Sequence, residues 1–179
     1  MSVYLIRHGK TEANEKRLYC GSTDLPLSKT GREELRSAAY AITPERFVTS
    51  GMKRTDETLQ ILFGDVPYSV DIRFREVDFG DFEMKSYEML KDDPAYQAWL
   101  AGDNEANVPP KGESGLRMTR RALEAFRELP DGTALITHGG VIAAIMASLF
   151  PEEGKHRYQW QPQNGRGYAV DGGSYRPIP

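Results

Sequence analysis

The chain has 179 residues, of which 39% are hydrophobic and 27% charged, and its formal net charge at pH 7 is −3. This balance predicts one folded domain over residues 1–179 and excludes a disordered chain, while the mild negative charge argues against a nucleic-acid partner. Cys20 is the single cysteine, so an intrachain disulfide is excluded and we expect a cytoplasmic protein. The longest apolar run, residues 141–150, is about half of what a bilayer span needs, so no membrane contact is expected. Composition leaves open whether the protein is a monomer or a homodimer.

Apolar runs and helical periodicities alternate along the chain. The patterns predict, in chain order, a strand at 3–6, a loop at 19–27, a helix at 30–42, a strand at 46–49, a helix at 52–63 and a strand at 66–72. An acid- and aromatic-rich stretch follows, with short helical pieces near 86–90 and 94–100. The remaining patterns predict a helix at 113–129, a strand at 133–137, a helix at 141–150 and strand-like pieces near 158–160 and 168–170.

Strands that alternate with helices in this way predict the α/β class, with a mostly parallel central sheet in a three-layer α/β/α arrangement. Residues 84–112 are too short to have a core of their own, so we interpret them as a short helical insertion that covers the site. Ser28 and Ser114 are predicted helix N-caps, and Pro44 is a predicted helix stop.

Two of the three histidines stand directly after a predicted strand, His8 in Arg7-His8-Gly9 and His138 in Thr137-His138-Gly139. Functional crevices of open α/β sheets lie outside the carboxyl ends of the strands, so both rings reach one crevice if the two strands are neighbours. A lone histidine of this kind is more often a core residue, but a matched pair indicates a site. The third histidine, His156, is in a polar turn and is predicted to be exposed.

Arginines accompany these histidines. Arg7 precedes His8, and Arg54 lies at the start of the helix that follows the second predicted strand. Guanidinium groups match phosphate oxygens in bidentate geometry, and the glycines after each histidine let a ligand approach the backbone. Together these residues predict a pocket for a phosphoryl group.

Six blocks in the chain carry a resemblance to a known family. They cover residues 7–14, 21–31, 50–58, 74–83, 112–114 and 137–140. In this set and order the blocks are specific, and the chain resembles the histidine phosphatase superfamily, also called phosphoglycerate-mutase-like. Its length and its block 74–83 resemble alpha-ribazole phosphatases and broad-specificity small-molecule phosphatases.

The resemblance implies a role for each main residue. His8 would be the nucleophile that carries the phosphoryl group, and Arg7, Arg54 and His138 would hold the equatorial oxygens. We expect His8 to be neutral and His138 to have a pKa raised by its neighbours. Glu76 would protonate the leaving alkoxide and then deprotonate the attacking water.

The resemblance also implies substrate-binding positions. Asn14 would donate a hydrogen bond to phosphate, and Cys20 and Gly21 would lie in the substrate-side loop. Lys10 departs from the family pattern, which commonly has Glu or Gln there, and would add positive charge near the mouth. Independently of the resemblance, Gly139 is predicted to open a helix whose N–H groups favour an anion. The resemblance implies no cofactor and no metal, and a small phosphorylated metabolite as the partner.

Several alternatives stay open. The leading function is hydrolysis of small phosphomonoesters, and the short insertion favours it over phosphoglycerate mutase chemistry, which needs a closed site. A catalytically silent phosphate-binding protein is a second alternative, and a metal site on the two histidines a third. Tyr87, Tyr96 and Trp99 of the insertion either line the pocket or pack the insertion onto the domain.

Overall fold

The computed structural model describes residues 2–179. Its strands are β1 (Ser2–Arg7), β2 (Arg46–Thr49), β3 (Ser69–Val70), β4 (Thr133–Thr137), β5 (Gly167–Asp171) and β6 (Ser174–Ile178). Its α-helices are α1 (Glu12–Glu15), α2 (Lys29–Ser37), α3 (Lys53–Phe63), α4 (Tyr87–Leu90), α5 (Pro94–Leu100), α6 (Gly115–Arg127) and α7 (Gly139–Leu149). Short 3-10 turns occupy Ile72–Phe74, Gly80–Phe82, Pro151–Glu153 and Arg157–Trp160.

The strands form one mixed sheet in the order β3-β2-β4-β1-β5-β6. The pairs from β3 to β1 are parallel, and β5 and β6 extend the sheet in antiparallel fashion. Arg7 pairs with Thr137 across β1 and β4, and Thr49 pairs with Ile136 across β2 and β4. The carboxyl ends of these three neighbouring strands therefore meet at one edge of the sheet.

Helices cover both faces of the sheet. Because side chains alternate along a strand, Leu5 and Leu135 face the core cluster that includes residues of α6 and α7, whereas Ile6 and Ile136 face the cluster that includes Leu59 of α3. This arrangement confirms the predicted three-layer α/β/α fold with a mostly parallel sheet. None of the helices in residues 2–179 has the length and apolarity needed to cross a membrane.

A small cluster, which we call the insertion cluster, joins the insertion to residues outside it. Phe82, Leu90 and Tyr96 are buried there, and Tyr19, Phe79 and Trp99 pack against them from the side. The two short helices predicted in this segment are confirmed as α4 and α5. Asn107 donates to three carbonyl oxygens at the end of α5, which fixes the return of the chain toward α6.

Two predicted elements in the first half of the chain are longer than the observed ones. The helix predicted to reach residue 42 ends at Ser37, because Tyr40 and Ile42 pack into the core cluster on the α3 face instead. The strand predicted at 66–72 is limited to Ser69–Val70, since the chain turns at Ile72.

Both predicted N-caps are confirmed. Ser28 Oγ accepts from Gly31 N at 3.0 Å, and Ser114 Oγ accepts from Arg117 N at 3.1 Å. Each hydroxyl therefore satisfies a backbone N–H that the first turn of its helix leaves without a partner.

The C-terminal segment also differs from the prediction. The strand-like piece near 158–160 is a 3-10 turn that buries Trp160, so aromatic alternation misled the prediction. The strand near 168–170 is confirmed as β5, whereas β6 was not predicted. Gly172 and Gly173, both at positive φ, form the turn of this hairpin, which is the signal that marks a second strand.

Candidate active site

The two strand-end histidines lie side by side. His8 follows β1, His138 follows β4, and the backbone N–H of His8 donates to Thr137 O at 3.0 Å. Both residues are buried, and their ring centroids are 5.2 Å apart in an edge-on arrangement. The structure therefore brings the two imidazoles together at the carboxyl edge of the sheet, as the sequence predicted.

His8 is held in one orientation and one protonation state. Its Nδ1 lies 2.7 Å from Gly9 O, and since a carbonyl oxygen only accepts, Nδ1 carries the proton and Nε2 keeps its lone pair. Gly9 N in turn donates to Thr58 Oγ1 at 2.9 Å. Burial, followed by the charges of Arg54 and Arg7, lowers the pKa of His8 well below 6.5. The imidazole is therefore neutral, as predicted.

His138 has a different environment. Its Nε2 lies 2.8 Å from Ser50 Oγ, and among the described residues its Nδ1 has no hydrogen-bond partner. Burial and the charge of Arg54 lower the pKa of His138 well below 6.5. The prediction that its neighbours raise this pKa was wrong, because burial disfavours the charged ring, cations lie near it and its direct partner is a neutral hydroxyl.

Arg54 lies in the first turn of α3 and is 1% exposed. Its Nη1 donates to Thr23 O at 2.9 Å and its Nη2 to Gly21 O at 2.8 Å. The loop that supplies these carbonyls is fixed by Glu83, whose carboxylate accepts from Gly21 N, Ser22 N and Thr23 Oγ1 at 2.7–3.1 Å. The sequence did not single out Glu83, since an acid in an acid-rich stretch carries no distinctive signal.

Arg7 borders the crevice from the end of β1. Its Nη1 donates to Pro162 O at 2.7 Å, and among the described residues its buried Nε has no partner. Burial lowers the pKa of Arg7, whereas the charge of Glu76 raises it. The guanidinium is thus anchored at one nitrogen and keeps other N–H groups for a ligand.

Glu76 is fixed by backbone N–H groups. Gly140 N donates to its Oε2 at 2.9 Å, and Val77 N donates to its Oε1 at 3.1 Å. A Cβ at residue 140 would lie 2.4 Å from Oε1, so any larger residue there would displace the carboxylate. Arg121 also donates to the backbone oxygen of Glu76 at 3.1 Å. The carboxylate is therefore positioned in front of α7, at the wall of the crevice.

Arg7 and Glu76 border a cavity of about 430 Å³, a volume typical of small-molecule sites. His8, Arg54 and His138 are not among its lining residues. Of the predicted site residues, Arg7, Asn14, Cys20 and Glu76 line it. Asn14 Oδ1 accepts from Thr11 N at 2.9 Å, which leaves its amide nitrogen as a donor. Burial raises the pKa of the Cys20 thiol, so Cys20 is a neutral wall residue.

The other predicted binding residues do not line this cavity. Lys10 forms an ion pair of 2.7 Å with Glu34 and borders a separate, broader groove, so the structure does not bring its charge to the mouth. Gly21 contributes only its backbone. Gly139 is buried where a Cβ would lie 2.6 Å from the Gln161 amide, so its role is to permit close packing.

The insertion aromatics divide between the two open interpretations. Trp99 lines the cavity, Tyr96 is 1% exposed within the insertion cluster, and Tyr87 is 57% exposed. His156 is exposed, as predicted. Arg157 and Glu105, which the sequence did not single out, also line the cavity. In residues 2–179, no three His, Cys, Asp or Glu side chains are grouped as potential metal ligands.

Comparisons with known proteins show the family to which the chain belongs. The family model of the histidine phosphatase superfamily (branch 1) matches residues 3–177. The chain is 29% identical to the adenosylcobalamin/alpha-ribazole phosphatase of Salmonella typhimurium, over 96% of this chain and 90% of that protein. The crystal structure of the alpha-ribazole phosphatase from Shigella flexneri superposes with a TM-score of 0.80 at 26% identity, covering 96% of this chain and 90% of that one.

A further crystal structure, of phosphoglycerate mutase from Thermus thermophilus, superposes with a TM-score of 0.79 at 29% identity, covering 96% of this chain and 93% of that one. The similar proteins thus include both phosphatases and mutases. Because the family model spans nearly all of the sequence, this chain belongs to the histidine phosphatase superfamily.

Proposed function

We propose that this protein is a phosphatase that hydrolyses small phosphomonoesters through a phosphohistidine on His8. One observation carries the proposal above all others. The neutral His8, with its proton fixed on Nδ1 by Gly9 O at 2.7 Å, stands among Arg7, Arg54 and His138 and beside the cavity that Glu76 lines. A nucleophile, cations for a phosphate and an acid for a leaving group therefore meet at one edge of the sheet.

In the first step, Nε2 of His8 attacks phosphorus in line and the bond between phosphorus and the ester oxygen breaks. Arg7 and Arg54 balance the charge on the equatorial oxygens. Protonated Glu76 gives its proton to the leaving alkoxide, so the alcohol departs neutral and the carboxylate remains.

In the second step, the Glu76 carboxylate takes a proton from a water that attacks phosphorus. The bond between phosphorus and Nε2 breaks, inorganic phosphate leaves, and both His8 and Glu76 return to their starting states. Asn14 supports both steps by donating its amide N–H to a phosphate oxygen, since its Oδ1 is already occupied by Thr11 N.

His138 completes the phosphate site: its ring is neutral before phosphate binds and charged afterwards. Its Nδ1, which has no partner among the described residues, meets a phosphate oxygen, and the ring takes up a proton when the phosphate dianion enters. The cations that lower the pKa of His138 in the free site are then balanced by the bound anion.

The proposal assigns the enzyme to the cytoplasm, where a lone thiol stays reduced, and gives it a small phosphorylated metabolite as substrate. The mutase is the second candidate, because a similar solved structure is named phosphoglycerate mutase. The catalytically silent alternative is weakened by the complete set of His8, Arg7, Arg54, Glu76 and His138.

The decisive experiment measures phosphate release from a panel of sugar phosphates, nucleotides, 3-phosphoglycerate and alpha-ribazole phosphate. Alpha-ribazole phosphate is included because similar proteins are named for it. We expect release from several members and an acid-labile phosphoenzyme after rapid quenching. His8→Ala should lose both, by at least about 10⁴-fold in turnover, while the exposed His156→Ala retains both. Rapid isomerisation of 3-phosphoglycerate would instead assign the protein to the mutases.

A further inference from the structure

Glu76 shares its cavity with aromatic residues, with residues of the insertion and with a segment near the C-terminus. We call this part of the lining the leaving-group half, because the alcohol part of a phosphomonoester would lie against it. Tyr19, Phe79 and Trp99 line one wall of this leaving-group half. Their ring centroids lie 5.0–6.1 Å from one another, so the wall is a packed aromatic surface. Leu100, which is 42% exposed, extends it. Such a wall favours a ring-bearing group because aromatic faces bury large apolar areas in defined geometries.

Another part of the lining is charged. Glu105 of the insertion and Arg157 of the C-terminal segment form an ion pair there, with side chains that are only 22% and 16% exposed. Tyr158 OH donates to Glu105 Oε1 at 3.3 Å, and Arg157 Nη2 donates to Gly140 O at 3.3 Å. Since Gly140 N holds Glu76, this pair lies next to the general acid.

The charges of the leaving-group half are unfavourable for a second anion. Glu76, Glu105 and Glu113 line it, and Arg157 is the one cation among its described lining residues other than Arg7, which serves the phosphate. Glu113 pairs with Arg121 at 2.8 Å and Arg157 pairs with Glu105, so Arg157 is already engaged by a carboxylate and is not free to receive a second anion. A carboxylate or second phosphate on the alcohol would meet Glu105 in a partly buried site, where like charges are costly.

We propose that the leaving-group half selects phosphomonoesters of uncharged, ring-bearing alcohols, and that Glu105 is the residue that rejects a second anionic group. The selection rests on the proposed phosphatase function, because it concerns the alcohol that this reaction releases. It also separates the protein from a phosphoglycerate mutase, whose substrate carries a carboxylate beside the phosphate ester.

Four synthetic substrates test the selection without a change in chemistry. They are benzyl phosphate, para-carbamoylbenzyl phosphate, para-carboxybenzyl phosphate and n-propyl phosphate, all of which release a primary alcohol. We expect kcat/KM for benzyl phosphate to exceed that for n-propyl phosphate about tenfold. The carbamoyl compound should match benzyl phosphate, and the carboxy compound should be at least about tenfold slower than the carbamoyl one.

The variant Glu105→Gln removes the rejecting charge and frees Arg157. We expect the ratio of kcat/KM for the carboxy compound to that for the carbamoyl compound to rise about tenfold. The matched control is Glu45→Gln, whose side chain is 72% exposed and stands just before β2, at the opposite end of the sheet; it should leave the ratio as in the wild type. The ratio does not depend on the folded fraction, so partial unfolding does not imitate the effect.

A second variant should change the same ratio in the opposite direction. Arg157→Gln leaves Glu105 without its partner and should lower the same ratio further. Equal kcat/KM for the carboxy and carbamoyl compounds in the wild-type enzyme, or an unchanged ratio in Glu105→Gln, would overturn the selection while the phosphatase function stands. Failure to release phosphate from all four compounds would also overturn the selection if the enzyme hydrolyses members of the phosphomonoester panel. Failure on that panel as well would overturn the phosphatase function itself.

Discussion

The phosphate half and the leaving-group half of the candidate site are built in different ways. In the phosphate half, His8, Arg54 and His138 are buried and follow three neighbouring strands of the sheet, so the hydrogen-bond ladder fixes their spacing. In the leaving-group half, Trp99 and Glu105 come from the insertion and Arg157 from a 3-10 turn near the C-terminus. The residues proposed for the reaction are thus positioned by the sheet, whereas those proposed for substrate choice come from the segments that connect the strands. Proteins with variable loops on a rigid scaffold use the same division.

Glu76 belongs to both halves, because it lines the cavity and would protonate the alcohol that leaves the phosphate. Its substitution tests whether it acts as the general acid. We expect Glu76→Gln to lower kcat/KM by about 10³-fold for alkyl phosphates, whose alkoxides need a proton, and by less than about tenfold for para-nitrophenyl phosphate, whose leaving group does not. The measurement is kcat/KM for each substrate, because it reports the phosphorylation step alone.

Glu45→Gln provides a matched loss of one carboxylate, away from the site. It should leave both substrates unaffected. An equal loss for both substrates in Glu76→Gln would mean that Glu76 holds the structure together but does not act as the general acid.

A substitution of Glu83 tests how far the phosphate half depends on the loop at residues 21–23. Its carboxylate fixes residues 21–23, whose carbonyls hold Arg54. Glutamine has one acceptor oxygen fewer, so we expect Glu83→Gln to loosen Arg54, to weaken inhibition by inorganic phosphate about tenfold and to lower kcat/KM by about 10- to 100-fold. Inhibition constants and thermal melting are measured together.

The control is Glu88→Gln, whose carboxylate is 73% exposed on α4. It should change neither quantity. A lower melting temperature of Glu83→Gln with an unchanged phosphate inhibition constant would limit Glu83 to a structural role, and would place the phosphate half on the sheet alone.

The same division explains how much could be predicted from the sequence. His8, His138 and Arg54 follow strands with clear periodicity, so their meeting point follows from the rule for parallel sheets. Arg157 stands in a short polar segment without periodicity, and Glu105 stands in a loop whose path depends on the packing of Tyr96 and Trp99. No local pattern encodes such tertiary contacts.

The incorrect predictions have the same origin. The helix predicted to continue to residue 42 ends at Ser37 because the aromatic and aliphatic residues beyond it are needed in the core. The pKa of His138 was expected to be raised because a charged ring would hold the phosphate oxygens best, but the sequence does not show what surrounds the ring. Burial and Arg54 decide that pKa, and the distance between Arg54 and the ring depends on how β2 and β4 pair.

Burial of two neutral histidines should make the phosphate half sensitive to acid. Both pKa values are lowered below 6.5 in the folded protein. The contribution of the two neutral rings to the free energy of unfolding is therefore complete above the unfolded-state pKa of about 6.5. As the pH falls below that value, the free energy of unfolding decreases by about 1.4 kcal/mol per pH unit for each histidine. Urea unfolding between pH 7 and pH 5 should show this slope, and His8→Asn should reduce it by about half. The exposed His156→Asn should leave the slope unchanged. Because the effect comes from burial at the strand ends, an unaltered slope in His8→Asn would mean that the phosphate half is open to water and not enclosed by the sheet.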